Sequence, residues 1–173
     1  VTANNSPVAQ SVTTYELEIV SPQIISSAQI LNRPAFAEPG QTLPVEITWQ
    51  NKSNFALSNL TLHITSNLTG VVDWKKTALE NGAKAETNGI FFDSNSRTSL
   101  SNGSPQNSDT FTINIHLLPT FTLQKENAKL EIYPILKTGN SQNSTQNFSQ
   151  EGSRTSLPLA TEIKFRTVEA RYH

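Results

Sequence analysis

The chain contains no cysteine, which removes a disulfide framework, thiol catalysis and Cys-ligated zinc together. Its fold must hold by core and ladder alone. Charge is scarce as well: 16 % of the 173 residues are Asp, Glu, Lys or Arg, and the net charge is -1. Phosphate binding needs a basic face, and no Lys/Arg cluster is longer than Lys75-Lys76. Nucleic acid and anionic membrane surfaces are therefore excluded as expected partners. No run approaches the roughly 20 apolar residues that a membrane helix needs. Val1 opens a polar stretch and not a basic-then-apolar signal.

Catalytic patterns are missing too. There is no Gly-x-Ser-x-Gly elbow to expose a strained nucleophile and no Gly-rich phosphate cradle. Asp73, Glu80, Glu86 and Asp109 are scattered, with no close carboxylate pair for glycosidase chemistry. Asp93-Ser94-Asn95-Ser96-Arg97 begins like a calcium loop, but Arg97 stands where a third ligand belongs, Thr98 replaces the required glycine and Ser104 the closing glutamate. His63 and His116 fall at outward strand positions without an acidic neighbour two residues away, and His173 is terminal. They read as solvated surface histidines, and no metal or cofactor is expected.

What the chain does have is alternation. Only 35 % of it is apolar, yet those residues are gathered into runs that can be buried. Leu43, Val45, Ile47 and Trp49 share one face against Glu46, Thr48 and Gln50; Leu60, Leu62 and Ile64 repeat the pattern against Thr61, His63 and Thr65. This period of two marks antiparallel strands with one buried and one wet face. Phe111, Ile113, Ile115 and Leu117 give another strand, and Ala128, Leu130 and Ile132 a further one, where Pro134 predicts an edge or a bend. Tyr15 to Val20 and Ala28 to Leu31 read as a first strand broken at Ser21-Pro22. Val71, Val72 and Trp74 read as a short strand, Ala78 to Ala85 as loop or a single helical turn, and Ile90 to Phe92 as a brief strand. About seven or eight short strands with Gly, Pro and Asn punctuation predict an all-β, antiparallel Ig-like β-sandwich.

The domain reading is a flexible arm over residues 1–14, the sandwich over 15–137, a disordered polar linker over 138–156 and a C-terminal strand over 157–173 that leads toward a further domain. Phase slips between Phe165 and Val168, so that strand is expected to split between two partners. The loop from Ser94 to Ser108 lacks apolar periodicity and is expected to be mobile. Asn-x-Ser/Thr triplets at Asn4, Asn51, Asn59, Asn67, Asn102, Asn143 and Asn147 arise readily by chance in so Asn-, Ser- and Thr-rich a chain, and are expected to stay bare.

Pro39-Gly40-Gln41-Thr42, the alternation to Trp49-Gln50-Asn51, and then Ala56-Leu57-Ser58-Asn59-Leu60-Thr61-Leu62 resemble the signature of Ig-like bacterial surface repeats of the DUF11 type. Ser104 to Ile115 is similar to the turn and strand before last in such repeats, with Ser104-Pro105-Gln106-Asn107 in place of the usual Pro-Gly. Leu157 to His173, with Ala170-Arg171-Tyr172, is similar to the region after such a domain in envelope proteins of Patescibacteria-type genomes. The resemblance spans residues 33–137. It implies an extracytoplasmic, non-catalytic module and carries over no functional residue.

Two functions stand open. One is a structural or spacer module of a cell-surface or envelope protein, partnered by neighbouring domains of its own chain. The other is an adhesin domain that binds carbohydrate or protein through exposed aromatics and loops. Trp49 is in phase with the core. Trp74 is either a core residue or an exposed contact, and Tyr133, out of phase with Leu130 and Ile132, marks an interface or covers an edge. A buried Trp74 favours the spacer.

Overall fold

A computed structural model of the chain describes residues 11–16, 21–122, 124–139 and 148–160. Among them the elements run β1 (Ile24–Ile30), β2 (Thr42–Asn51), β3 (Leu60–Ser66), α1 (Trp74–Asn81), β4 (Lys84–Glu86), β5 (Gly89–Phe92), β6 (Ser108–His116), β7 (Lys129–Thr138), β8 (Phe148–Glu151) and β9 (Thr155–Pro158). One sheet has the order β1-β2-β6. The other has the order β4-β5-β3-β7-β8, with β9 also paired to β7. The chain changes sheet between β2 and β3, β5 and β6, and β6 and β7, which is the Greek-key order of an Ig-like sandwich. The alternating residues read from the sequence form its core: Leu43, Val45, Ile47 and Trp49 face Leu60, Leu62, Ile64, Leu130 and Ile132, all essentially inaccessible to water.

Several expectations are corrected. The first strand is β1, whose inner residues Ile24, Ser26, Ala28 and Ile30 are buried; exposed Ile25 breaks its alternation and hid it. Tyr15 is 83 % exposed and in no strand, while residues 17–20 lie outside the described residues. The stretch after Asp73 is a two-turn helix, because the Asp73 carboxylate accepts from the Lys76 amide (3.0 Å) and Gly82 closes it in the left-handed conformation. Val72 makes only a single bridge, to Leu117. Residues 148–156, read as linker, hold β8 and the start of β9, so the sandwich does not end at 137. Their apolar content is small, but β7 supplies a full edge of main-chain partners. Residues 1–10, 140–147 and 161–173, with the Phe165–Val168 phase slip, lie outside the described residues.

Pro134 sits on an interior strand, with β3 on one side and β8 and β9 on the other, and the local register shows how this is tolerated. Ile135 pairs with Glu151 and Ile132 with Thr155, so Gly152, Ser153 and Arg154 stand opposite Tyr133 and Pro134. That extra residue is a β-bulge. The Pro134 carbonyl accepts from the Gly152 amide (2.8 Å), which places its missing N–H on the bulged side, where no regular ladder bond is needed.

The bulge turns the main chain toward the other sheet. The Ser153 amide donates to the Ser26 carbonyl (2.8 Å), and the Ala28 amide donates to the Ser153 carbonyl (3.1 Å). Further along, Ala37 donates to Pro158 (2.7 Å) and Ala160 to Ala37 (2.9 Å), while the Ile30 amide reaches the Thr155 hydroxyl (3.3 Å). Both bridges, Ser27 with Ser153 and Ala37 with Leu159, are parallel. This seam closes one flank of the sandwich. A Cβ at Gly152 would stand 2.3 Å from the Ser26 carbonyl oxygen and 2.2 Å from its hydroxyl, so only glycine allows the approach.

Helix α1 closes the opposite flank. It packs against β4, β5 and the free edge of β6. The Asn81 carboxamide accepts from the Asn114 amide (3.0 Å) and donates to the Asn114 carbonyl (2.9 Å), as a peptide group of a neighbouring strand would. The His116 amide donates to the Thr77 hydroxyl (3.0 Å). An edge that would otherwise template aggregation is thereby occupied.

Candidate functional site

The residues singled out from the sequence do not converge on one place. Trp74 opens α1, is 7 % exposed, and its indole N–H donates to the Asn88 side chain (3.3 Å); Asn88 in turn donates to the Ser66 carbonyl (2.7 Å). Its ring belongs to the core and presents no face for ligand stacking. Tyr133 lies half-buried on the outer face of the larger sheet, beneath the Arg154 guanidinium at 4.1 Å. Arg154, missed within the supposed linker, is delivered there by the bulge. It donates to Glu131 (2.7 Å) and to Glu151 (2.6 Å). The bonds to Glu131 and then Glu151 hold its guanidinium protonated more firmly than usual.

The histidines require a second correction, for they are neither solvated nor isolated. His63 is 9 % exposed, stacks on Phe91 at 5.3 Å, and shares hydrogen bonds with Glu86 (3.0 Å, at Nδ1) and Thr61 (3.1 Å, at Nε2). His116 is 8 % exposed and lies between Thr42 (3.0 Å, at Nδ1) and Glu80, which it meets through Nε2. Their outward strand phase was right, but Glu86 and Glu80 come from β4 and α1, at a sequence distance no local spacing shows. The Glu80 carboxyl is held below its ordinary range by its bond from Asn114 and then by His116. Each imidazole is committed to one carboxylate and one hydroxyl. Among the described residues no group of three or more His, Cys, Asp or Glu is placed to hold a metal.

The loop between β5 and β6 is fastened, contrary to the expectation of mobility. Its one apolar anchor is Leu100, 2 % exposed in a short 3-10 turn. Asn51, fully buried, donates through its carboxamide to the carbonyls of Phe55 (3.0 Å) and Gly103 (2.8 Å) and accepts from the Ser53 amide (2.9 Å). Asp93, the first residue of the apparent calcium loop, accepts from the amides of Asn95 (3.0 Å) and Ser96 (2.9 Å) and from Lys84 (2.6 Å). Lys84 and then the Ser96 amide hold its carboxyl far below the ordinary aspartate range. Arg97 lies 3.5 Å over the Phe111 ring and bonds Asp109 (2.9 Å). Burial works to raise the Asp109 carboxyl, and the bonds from Ser99 and Arg97 outweigh it, leaving it lowered.

Asparagine thus serves as a main-chain substitute. Asn67 accepts from the Glu131 amide (2.7 Å) and donates to the Lys129 carbonyl (3.0 Å), as Asn81 does on β6. Of the glycosylation triplets, that at Asn51 is sealed inside the protein. An open groove of about 550 Å³ lies beside the start of β1, lined by Pro22, Gln23, Ile24, Ile25, Lys52 and Gln150. Among the described residues, no helix is long and apolar enough to cross a membrane.

The strand order and flank closures define an Ig-like β-sandwich module. No family model matches the chain, and no curated protein matches it. Solved structures similar to it include the CARDB domain of a Pyrococcus furiosus protein in complex with di-metal ions, at 9 % identity over 86 % of this chain and 100 % of that one, with a TM-score of 0.43. Another is the C-terminal domain of Wzt, at 10 % identity over 88 % of this chain and 83 % of that one, with a TM-score of 0.43. A third is AvmM, which catalyses macrocyclization in alchivemycin A biosynthesis, at 11 % identity over 78 % of this chain and 88 % of that one, with a TM-score of 0.40.

Proposed function

We propose that this sandwich is a non-catalytic structural or spacer module of a cell-surface or envelope protein, as its resemblance to DUF11-type repeats implies. One observation carries the reading. The seam pairs β1 and the segment after the bulge in parallel, so Ile24, where the first segment starts, and Ala160, the last residue bonded in the second, lie at opposite ends of the sandwich. Modules placed before and after it would be held apart by its full length. The burial of Trp74 and the polar, nearly uncharged composition support the same reading. Antibody labelling of intact producing cells tests the location: labelling without lysis is expected, and labelling only after lysis contradicts it. A glycan and protein array probed with the purified chain tests the role. Saturable binding that Tyr133→Ala and Arg154→Ala abolish would replace the spacer with the adhesin reading.

A further inference from the structure

We infer that the seam is a mechanical clamp, which resists tension applied along the chain between Ser21 and Ala160. Only the origin of the tension rests on the spacer reading; the resistance follows from geometry.

Two parallel segments pulled at opposite ends load their cross-bonds in shear. Every bond must then be strained together before any breaks, whereas segments pulled from the same end peel one bond at a time. The N-terminal segment runs from Ile24 through Ala28 to Ala37, and the C-terminal one from Ser153 to Ala160 beside it. Force arriving at Ser21 and leaving at Ala160 therefore shears four main-chain bonds, at 2.8, 3.1, 2.7 and 2.9 Å. The bond from the Ile30 amide to Thr155 is sheared with them. These bonds hold the two sheets together at their shared flank, so β1 cannot leave β2 until the seam gives. Ala37 is fully buried and Leu159 is 7 % exposed, and the upper bridge is shielded from competing water. Arg154, which bonds both Glu131 and Glu151, fixes the bulge from which the lower bridge springs.

The chain has no cysteine of its own, so introduced thiols define the pulling points without ambiguity. The test is single-molecule stretching of the full chain in two attachment geometries. Ser21→Cys with Ala160→Cys loads the seam in shear; Ser21→Cys with Gln150→Cys peels it from one end. The clamp predicts an unfolding force several-fold higher in the first geometry, since forced unfolding reports the barrier and not the equilibrium stability. It also predicts that Thr155→Val, which keeps side-chain shape and removes one acceptor, lowers the shear force and leaves the peeling force unchanged. Equal forces in the two geometries would overturn the clamp wherever the protein resides. A module found inside the cell would overturn the spacer and leave the clamp standing.

Discussion

On one flank of the sandwich β1 and the Ala37 that follows it are stitched to residues 153–160, mainly by main-chain groups; on the other, α1 is fastened to β6 by the side chains of Thr77, Glu80 and Asn81. Both solve the problem of an exposed strand edge. The seam uses neutral peptide groups, one glycine and the Thr155 hydroxyl, none of which titrates, so it should ignore pH and most side-chain changes but fail to steric intrusion. The helix flank uses carboxamide, hydroxyl and carboxylate groups, so it should tolerate added bulk at its surface and respond to truncation and acid. A flank built from main chain also leaves little trace in composition.

The largest effect is expected where both flanks depend on the shared core. Trp49→Ala removes a fully buried ring and should cost about 3–5 kcal/mol in denaturant unfolding. The indole N–H has no hydrogen-bond partner among the described residues, and Trp49→Phe should cost clearly less than alanine. Next, Gly152→Val should cost about 3 kcal/mol, because its Cβ meets Ser26 main chain that cannot move without opening the seam. If valine were tolerated without loss, the seam would not be the closed contact described.

The helix flank should give smaller effects. Asn81→Ala strands the Asn114 amide and carbonyl at a partly buried edge and should cost about 1–2 kcal/mol. Acid sharpens the contrast. The Glu80 carboxyl is lowered in the folded state, so its contribution is present above its unfolded value and is lost as pH falls through its lowered folded one. Denaturant midpoints should therefore drop between neutral pH and about pH 3, and drop less in Glu80→Gln. An identical drop in that variant would remove Glu80 from the account. Arg154→Ala should give the smallest loss of all, since the ion pairs it breaks are partly exposed and screened by solvent.

How far the sequence was readable follows the same division. β2, β3, β6 and most of β7 declare themselves through alternation, because each buries one face against the opposite sheet. The helix was within reach: Asp73 and Gly82 are cap signals, and Trp74, Thr77 and Ala78 follow a helical spacing, but the short run reads equally as loop. β8 was hidden because Phe148–Glu151 is held mainly by hydrogen bonds to β7, which no side-chain pattern records; β9 buries alternate residues, Thr155 and Leu157, but its first two residues fell in the stretch read as linker and the strand was expected only from residue 157. Pro134 was the available clue. Read as the mark of an edge or a bend, it lies on an interior strand and stands opposite the bulge of the neighbouring one. Of the candidate contacts, Trp74 had core burial among its stated alternatives, whereas the Arg154 cover over Tyr133 and the carboxylates beside His63 and His116 depend on chain segments that meet only in the fold.

Residue-resolved amide hydrogen exchange at neutral pH and again near the acid transition tests the comparison between the flanks most directly. The account predicts strong protection at the seam donors Ala28, Ala37, Ser153 and Ala160 at both pH values, after correction for intrinsic exchange, with protection at Asn114 and His116 fading selectively in acid. Seam amides that exchange like those of an open loop, or that lose protection in step with Asn114 and His116, would contradict it.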